Sequence, residues 1–273
     1  MASSGYFHVS LLTFAVIAMQ EFDEIAPFYD VMYSDRHDDL MMYHDFVRQF
    51  GGPVLECGCG TGRILFSIAE TGIEIWGIDS SEKMLTAARV KVQNLCTEIK
   101  QKIRLSQQDM RNFQIDHFFK LCIVPFRAFL HMLTADDQNR ALSQINRHLE
   151  KDGYLIIDIF APSHELLAKQ TTTIRFDQKV NCETGKSSLS PIKSLMSMLN
   201  SFCMWSGITR RWVIKTLPIA KSCLSPSAIF SDMKCRRFLK KMASKLKAVF
   251  GHFDKRPYDY KSGEMIFVAQ KEG

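Results

Sequence analysis

The stretch Val54-Leu55-Glu56-Cys57-Gly58-Cys59-Gly60-Thr61-Gly62-Arg63 decides the fold. Pro53 to Cys57 is a short, mostly apolar run and reads as a strand. Three glycines follow it, and from Thr61 to Glu70 the residues Ile64, Leu65 and Ile68 return at helical spacing. A strand that turns through glycine into a helix brings backbone close to a ligand, because no Cβ intervenes. The unpaired N–H groups of the helix's first turn then face the same space. A dinucleotide fingerprint, G-x-G-x-x-G, would need glycine at position 63, where Arg63 stands; the third glycine falls one residue early, at Gly62. Glu56 adds a second distinction, since a carboxylate beside the loop repels pyrophosphate and suits a ligand that carries a free ammonium.

Working outward, the same alternation continues. Glu74 to Ile78 reads as a strand, Ser81 to Leu95 as a helix with Met84, Leu85, Ala88 and Val92 inward, and Ile103 to Ser106 and Leu121 to Val124 as strands. Thr134 and Asp137 resemble a capping box that opens a helix with Ala141, Leu142, Ile145 and Leu149 inward, ending at Gly153. Tyr154 to Phe160 is a further strand. Near-continuous apolar strands separated by amphipathic helices predict an α/β fold with a parallel sheet covered on both faces. Upstream, Phe22, Ile25, Ala26, Tyr29 and Tyr33 recur at helical spacing, with Pro27 dividing them into two short turns. Leu40, Tyr43, Phe46, Val47 and Phe50 mark the next helix, which Gly51-Gly52 ends. Downstream, Phe238, Met242, Leu246 and Val249 predict a basic helix whose Lys/Arg run, Lys234 to Lys247, is its wet face, and Glu264 to Gln270 a closing strand. Between these lie residues 184–231, which contain no Asp or Glu and show neither period.

Two further acids fall at strand ends, where open α/β sheets bind ligands. Asp79 closes Trp76-Gly77-Ile78-Asp79 and can accept from two vicinal hydroxyls. Gln108-Asp109-Met110 can border a purine, with the acid accepting from an exocyclic amine and the thioether covering a ring face.

Composition sets the bounds. The chain has 273 residues, 46% hydrophobic and 23% charged, enough to bury a full core and too apolar for general disorder. Its net charge of +6 is uneven: residues 161–273 hold 20 Lys/Arg against 8 Asp/Glu, leaving 15 against 21 for residues 1–160. A solvated surface is the first reading of that basic half and a nucleic-acid partner the second. Of eight cysteines only Cys57 and Cys59 are close, and they lack the second pair that zinc needs, so no metal site is expected. Scattered thiols read as those of a reduced, cytoplasmic protein. Val9 to Met19 is an apolar run of 11 residues, too short to span a bilayer, so no membrane partner is expected. Residues 1–18 read as an extension ahead of a functional start at Met19.

Glu56-x-Gly58-x-Gly60-Thr61-Gly62, Gly77-Ile78-Asp79-Ser80-Ser81-x-x-Met84 and Asp109-Met110 together resemble the first three motifs of the class I S-adenosylmethionine-dependent methyltransferases, small-molecule type. Phe22 to Tyr33 is similar to that family's N-terminal cap, in which a tyrosine such as Tyr29 or Tyr33 covers the cofactor. His148 to Gly153 and the segments 249–254 and 265–269 are similar to its last strands. The resemblance implies a Rossmann-like, doubly wound sheet of seven strands, mostly parallel, with one antiparallel C-terminal strand. It implies S-adenosylmethionine as cofactor and a small-molecule N, O or C acceptor. It carries cofactor contacts to Tyr29, Glu56, Gly58, Gly60, Gly62, Asp79 and Asp109, with Ser80, Met84 and Met110 packing beside them. The organisation expected is an extension (1–18), a helical cap (19–52), a cofactor core (53–165), a substrate-side insert (166–232) and a closing unit (233–273). Alignment does most of the catalysis at a sulfonium methyl, so no catalytic residue is required; His131, after the fourth strand, is the candidate. RNA or protein methylation through the basic half, or cofactor binding without turnover, are the alternatives.

Overall fold

The inner strands are apolar on both sides because they are covered on both sides. A computed structural model describes residues 22–31, 33–160, 244–259 and 261–272. The expected extension 1–18 and the insert 166–232 lie outside the described residues. The elements run α1 (residues 22–31), α2 (Leu40–Phe50), β1 (Val54–Cys57), α3 (Arg63–Ala69), β2 (Ile75–Asp79), α4 (Glu82–Gln93), α5 (Thr97–Lys100) and β3 (Ile103–Gln107). After them come β4 (Phe119–Val124), a 3₁₀ turn (Ala128–His131), α6 (Ala135–His148), β5 (Leu149–Phe160), β6 (Ser244–Phe250) and β7 (Glu264–Lys271).

The seven strands form one sheet in the order β3-β2-β1-β4-β5-β7-β6. Strands β1 to β5 pair in parallel, while β7 runs antiparallel to both of its neighbours. This is the predicted doubly wound sheet with one reversed strand. On one face Leu55, Cys57, Cys122, Val124, Leu155 and Ile157 meet Ala141, Leu142 and Ile145 of α6. On the other, Val54, Ile75, Leu121, Ile123 and Ile156 meet Tyr43, Phe46 and Val47 of α2 and Ile64, Leu65 and Ile68 of α3. Alternate residues of one strand thus serve opposite cores, which erases the polar half of the usual alternation. The strand order reverses between β1 and β4, and ligands bind in the crevice that such a reversal opens.

Gly77 lets α3 lie close to the sheet. A Cβ there would stand 2.3 Å from Leu65 Cδ1 and 2.9 Å from Cys59 Sγ. Gly77→Val is expected to cost about 1–3 kcal/mol of stability through overpacking, measured as a fall in thermal midpoint with the secondary structure retained. An unchanged midpoint would show that this contact yields freely.

Three element boundaries differ from the sequence reading. The helix expected to run through Leu149 ends at His148; Leu149, at φ −78° and ψ 139°, is already extended and pairs with Phe119, so β5 begins five residues before Tyr154. Within the predicted basic helix, residues 244–250 are strand β6, with Ser244 buried, Lys245 and Lys247 exposed and the outer edge of the sheet as their place. Leu246 and Val249 sit three apart and imitate a helical stripe, but pairing with β7 decides the conformation. Phe238 and Met242 lie outside the described residues. Finally, α1 passes through Pro27 without a break. The missing N–H of Pro27 is outweighed by contacts that bring Phe22, Ala26 and Tyr29 down onto the domain.

Candidate active site

The glycine loop takes its shape from its neighbours. Gly58 and Cys59 donate their N–H groups to Ile78 O (2.8 and 3.0 Å), tying the loop to the end of β2. Gly60, at φ 54°, donates its N–H to Asp79 Oδ2 (2.8 Å), and a Cβ on Gly60 would meet nothing within 4 Å: it would project into open cleft. Gly62, at φ 88°, is the left-handed residue before α3, and a Cβ on it would stand 2.6 Å from the Phe66 ring.

A cleft with about 1220 Å³ of empty space, part of it open to solvent, lies over the carboxyl ends of β1 to β4. Of the sequence candidates, Tyr29, Gly58, Gly60, Asp79, Ser80, Met84, Asp109, Met110 and His131 line it. Glu56 instead lines a smaller recess, whose walls include Arg63 and which shares Tyr29, Gly58, Pro125 and Phe126 with the main cleft. Gly62 lines neither and shapes the turn from behind. Tyr33 lines neither as well; it leans on Tyr29 and on Phe126, with ring centroids 4.8 and 4.9 Å apart.

The acids differ in their commitments. Asp79 accepts from Gly60 N and Ser81 N (2.9 Å), and burial raises its pKa against those bonds. Glu56 is 2% exposed, its Oε2 has no hydrogen-bond partner, and burial holds its carboxyl well above the ordinary range. Asp109 is engaged by Arg111, whose Nε and Nη2 fork onto it, and its pKa lies below the ordinary value because that guanidinium outweighs partial burial. Burial raises the Tyr29 phenol.

Four features escape local reading. Arg63, which its place in a first helical turn marks as solvated, forms a double ion pair with the buried Asp39 (2.6 Å each) and donates to Arg36 O (2.8 Å). Asp158 is 1% exposed and accepts from Tyr43 Oη (3.1 Å) and Phe126 N (2.9 Å), which pins the turn where Phe126 and Arg127 take positive φ of 50° and 64°. Helix α1 is strapped across the site: Ser81 Oγ donates to Asp23 Oδ1 (2.5 Å) and Thr61 Oγ1 to Asp30 Oδ1 (2.6 Å). Arg111 is the fourth. Apart from Arg111 with Asp109, two residues away, these pairings have no sequence signature, since the partners lie far apart in the chain. The capping pair is as expected in part: Thr134 Oγ1 accepts from Asp137 N (3.0 Å), but Asp137 Oδ2 accepts from the Thr134 hydroxyl (2.8 Å) rather than from backbone.

Among the described residues no group of His, Cys, Asp and Glu could hold a metal ion, and no helix is long and apolar enough to cross a membrane.

Sheet order, switch-point cleft and acids at the strand ends define a doubly wound α/β domain with one open site. Residues 54–153 match the methyltransferase domain family. YqeM of Bacillus subtilis, named as a methyltransferase, is 34% identical over 109 residues, 40% of this chain and 42% of that protein. An N,N-dimethyltransferase of Streptomyces venezuelae, named for a dTDP-3-amino-3,4,6-trideoxyglucopyranose, is 27% identical over 147 residues, 51% of this chain and 58% of that protein. The chain spans about half the length of the curated relatives it matches. An S-adenosylmethionine-dependent methyltransferase from Clostridium acetobutylicum shares the fold, with a TM-score of 0.63 at 14% identity over 92% of this chain and 99% of that one. Over residues 54–153 the chain is similar to the methyltransferase domain family, and its fold is the one that the Clostridium protein shows.

Proposed function

We propose that this chain binds S-adenosylmethionine and directs its methyl group to a small-molecule N, O or C acceptor. The observation that carries the reading is the pairing of an open backbone cradle at Gly60 with an unpartnered, buried Glu56 Oε2 in the adjoining recess, which shares Tyr29, Gly58, Pro125 and Phe126 with the cleft. A ligand ammonium satisfies that oxygen, and the residues fit such a cofactor: Asp79 has lone pairs left for vicinal hydroxyls, Ser80 and Met84 pack beside it, and Asp109 and Met110 border the base. Tyr29 closes the site from α1. The cofactor, when bound, supplies an electrophilic sulfonium methyl and a good leaving group.

The protein's own part is alignment and exclusion of water. Phe22, Pro125, Phe126, Ala128 and Met132 make the acceptor side of the cleft apolar, which favours a small, weakly charged acceptor over a phosphate backbone. The Streptomyces relative, named for an amino sugar, supports the same reading. His131 is the single histidine among the described residues lining the cleft, with its ring edge-on to Phe22 at 4.8 Å. Desolvation lowers its pKa, so the imidazole is neutral at pH 7 and placed to receive a proton from the acceptor.

Titration calorimetry with S-adenosylmethionine is expected to show one site. Incubation of the methyl-labelled cofactor with a panel of amines, alcohols and carboxylates is expected to transfer label. No heat of binding would overturn the proposal, and binding without transfer to any small acceptor would remove its second half.

A further inference from the structure

Two buried carboxylates act on Arg63, and their commitments are opposite. Asp39 is 2% exposed and gives both oxygens to the guanidinium: Nη1 donates to its Oδ1 and Nη2 to its Oδ2, at 2.6 Å each. Glu56 is equally buried, yet its Oε2 has no hydrogen-bond partner. Arg63 and Glu56 nevertheless wall the same small recess beside the cleft. A third bond, to Arg36 O (2.8 Å), and the Phe126 ring, 5.2 Å from the guanidinium carbon, complete the hold on Arg63. Asp39 stands at the N-cap of α2, where an aspartate side chain ordinarily accepts from the first turn of the helix. It makes no such bond here. Its side chain is committed to Arg63 instead.

A guanidinium and a carboxylate that wall one recess attract each other strongly where water is scarce, and an Arg fork fits a carboxylate with two parallel bonds. Left alone, Arg63 would close on Glu56, and a ligand ammonium would then have to displace it. Asp39 removes that competitor by offering the same fork a partner with both oxygens. The surroundings of Glu56 agree. Burial raises its pKa and outweighs Arg63, which lowers it, while Asp39 and Asp79 raise it further. Tyr29, Tyr43 and the Cys57 and Cys59 thiols also feel its charge, and none of these is a cation. A buried carboxylate oxygen without a partner is rare in a finished fold. Here the cation that walls the same recess is bound elsewhere.

We propose that Asp39 is a positioning residue that holds Arg63 off Glu56 and so keeps that carboxylate open for the ammonium of the ligand. The inference rests on the S-adenosylmethionine reading above. A tie that served only to join the start of α2 to the start of α3 would act on stability alone, and the two roles separate by rescue.

The test is titration calorimetry with S-adenosylmethionine in buffers of different ionisation enthalpy, at several pH values above 4.5. The parent is expected to bind with release of a proton. Asp39→Asn frees Arg63 to pair with Glu56, so it is expected to weaken binding by about tenfold or more, the worth of one charge-assisted bond, and to release no proton. Asp39→Asn with Arg63→Gln removes the competitor as well, and is expected to recover most of the affinity and the proton release. A thermal melt of each unliganded variant checks folding. Should Asp39→Asn not fold, Arg63→Gln alone keeps the test standing, because it is expected to retain the proton release. Proton release lost in Arg63→Gln, a double variant no better than Asp39→Asn, or Asp39→Asn that behaves as the parent would each overturn the positioning role while the cofactor reading stands. A parent that binds no S-adenosylmethionine would overturn both.

Discussion

Asp79→Ala is expected to weaken S-adenosylmethionine binding by about a hundredfold or more, because two hydrogen bonds to a charged acceptor are lost at about 1.5–3 kcal/mol each. The same change releases the glycine loop, since Gly60 N and Ser81 N both lose their acceptor. The two losses separate experimentally. Asp79→Asn keeps one side-chain oxygen for the loop and loses the charge, so it should restore most of the thermal stability and little of the affinity. Calorimetry on the three proteins, with a thermal melt of each, reads both. Unchanged affinity in Asp79→Ala would remove this residue from the site.

The second large effect concerns protons. Glu56 has its folded pKa raised above the ordinary 4.5 by burial. The folded chain therefore holds a proton there that the unfolded chain has released, and stability of the unliganded protein falls as pH rises from about 4.5 through the raised value. An ammonium placed against Glu56 Oε2 favours the carboxylate and reverses the effect. Cofactor binding should then release a proton, and affinity should rise with pH across the same window. Calorimetry in buffers of different ionisation enthalpy measures that release directly. Glu56→Gln should abolish it, flatten the pH dependence of unliganded stability and weaken binding by about tenfold to a hundredfold, the range for one charge-assisted bond. Binding without proton exchange at every pH above 4.5 would place the ammonium elsewhere.

What the sequence made legible was what is encoded locally. The strand-to-glycine-to-helix turn at residues 54–63 and the acids at the ends of β2 and β3 sit at the places their spacing predicts, because the carboxyl end of a parallel strand is always the site face. Misreadings arose where one residue satisfied two patterns. Leu149 completes the apolar stripe of α6 and also begins β5, and its extended backbone is dictated by pairing with Phe119. Leu246 and Val249 fit a helix by spacing, yet the exposed Lys245 and Lys247 mark a sheet edge. The remainder could not be read because it depends on partners distant in sequence. Asp39 gives no sign that it will neutralise Arg63, nor Asp137 that it will take the second arm of Arg111.

Helix α1 sits on the site by means quite unlike those that hold the sheet beneath it. Its straps, Asp23 to Ser81 and Asp30 to Thr61, are single side-chain bonds from half-buried Asp23 and exposed Asp30 to buried hydroxyls, with Lys91 adding an ion pair to Asp30 (2.8 Å). The strands below are joined by continuous ladders between two apolar cores. The two layers are therefore expected to occupy different rungs of local stability, with α1 opening at a lower free energy than the sheet. Ligand entry is then expected to need no breathing of the sheet, only the unfastening of one short helix. A molecule that fills the space beneath Phe22 and Tyr29 would fasten it again, and its affinity would then include the ordering of the site's own roof.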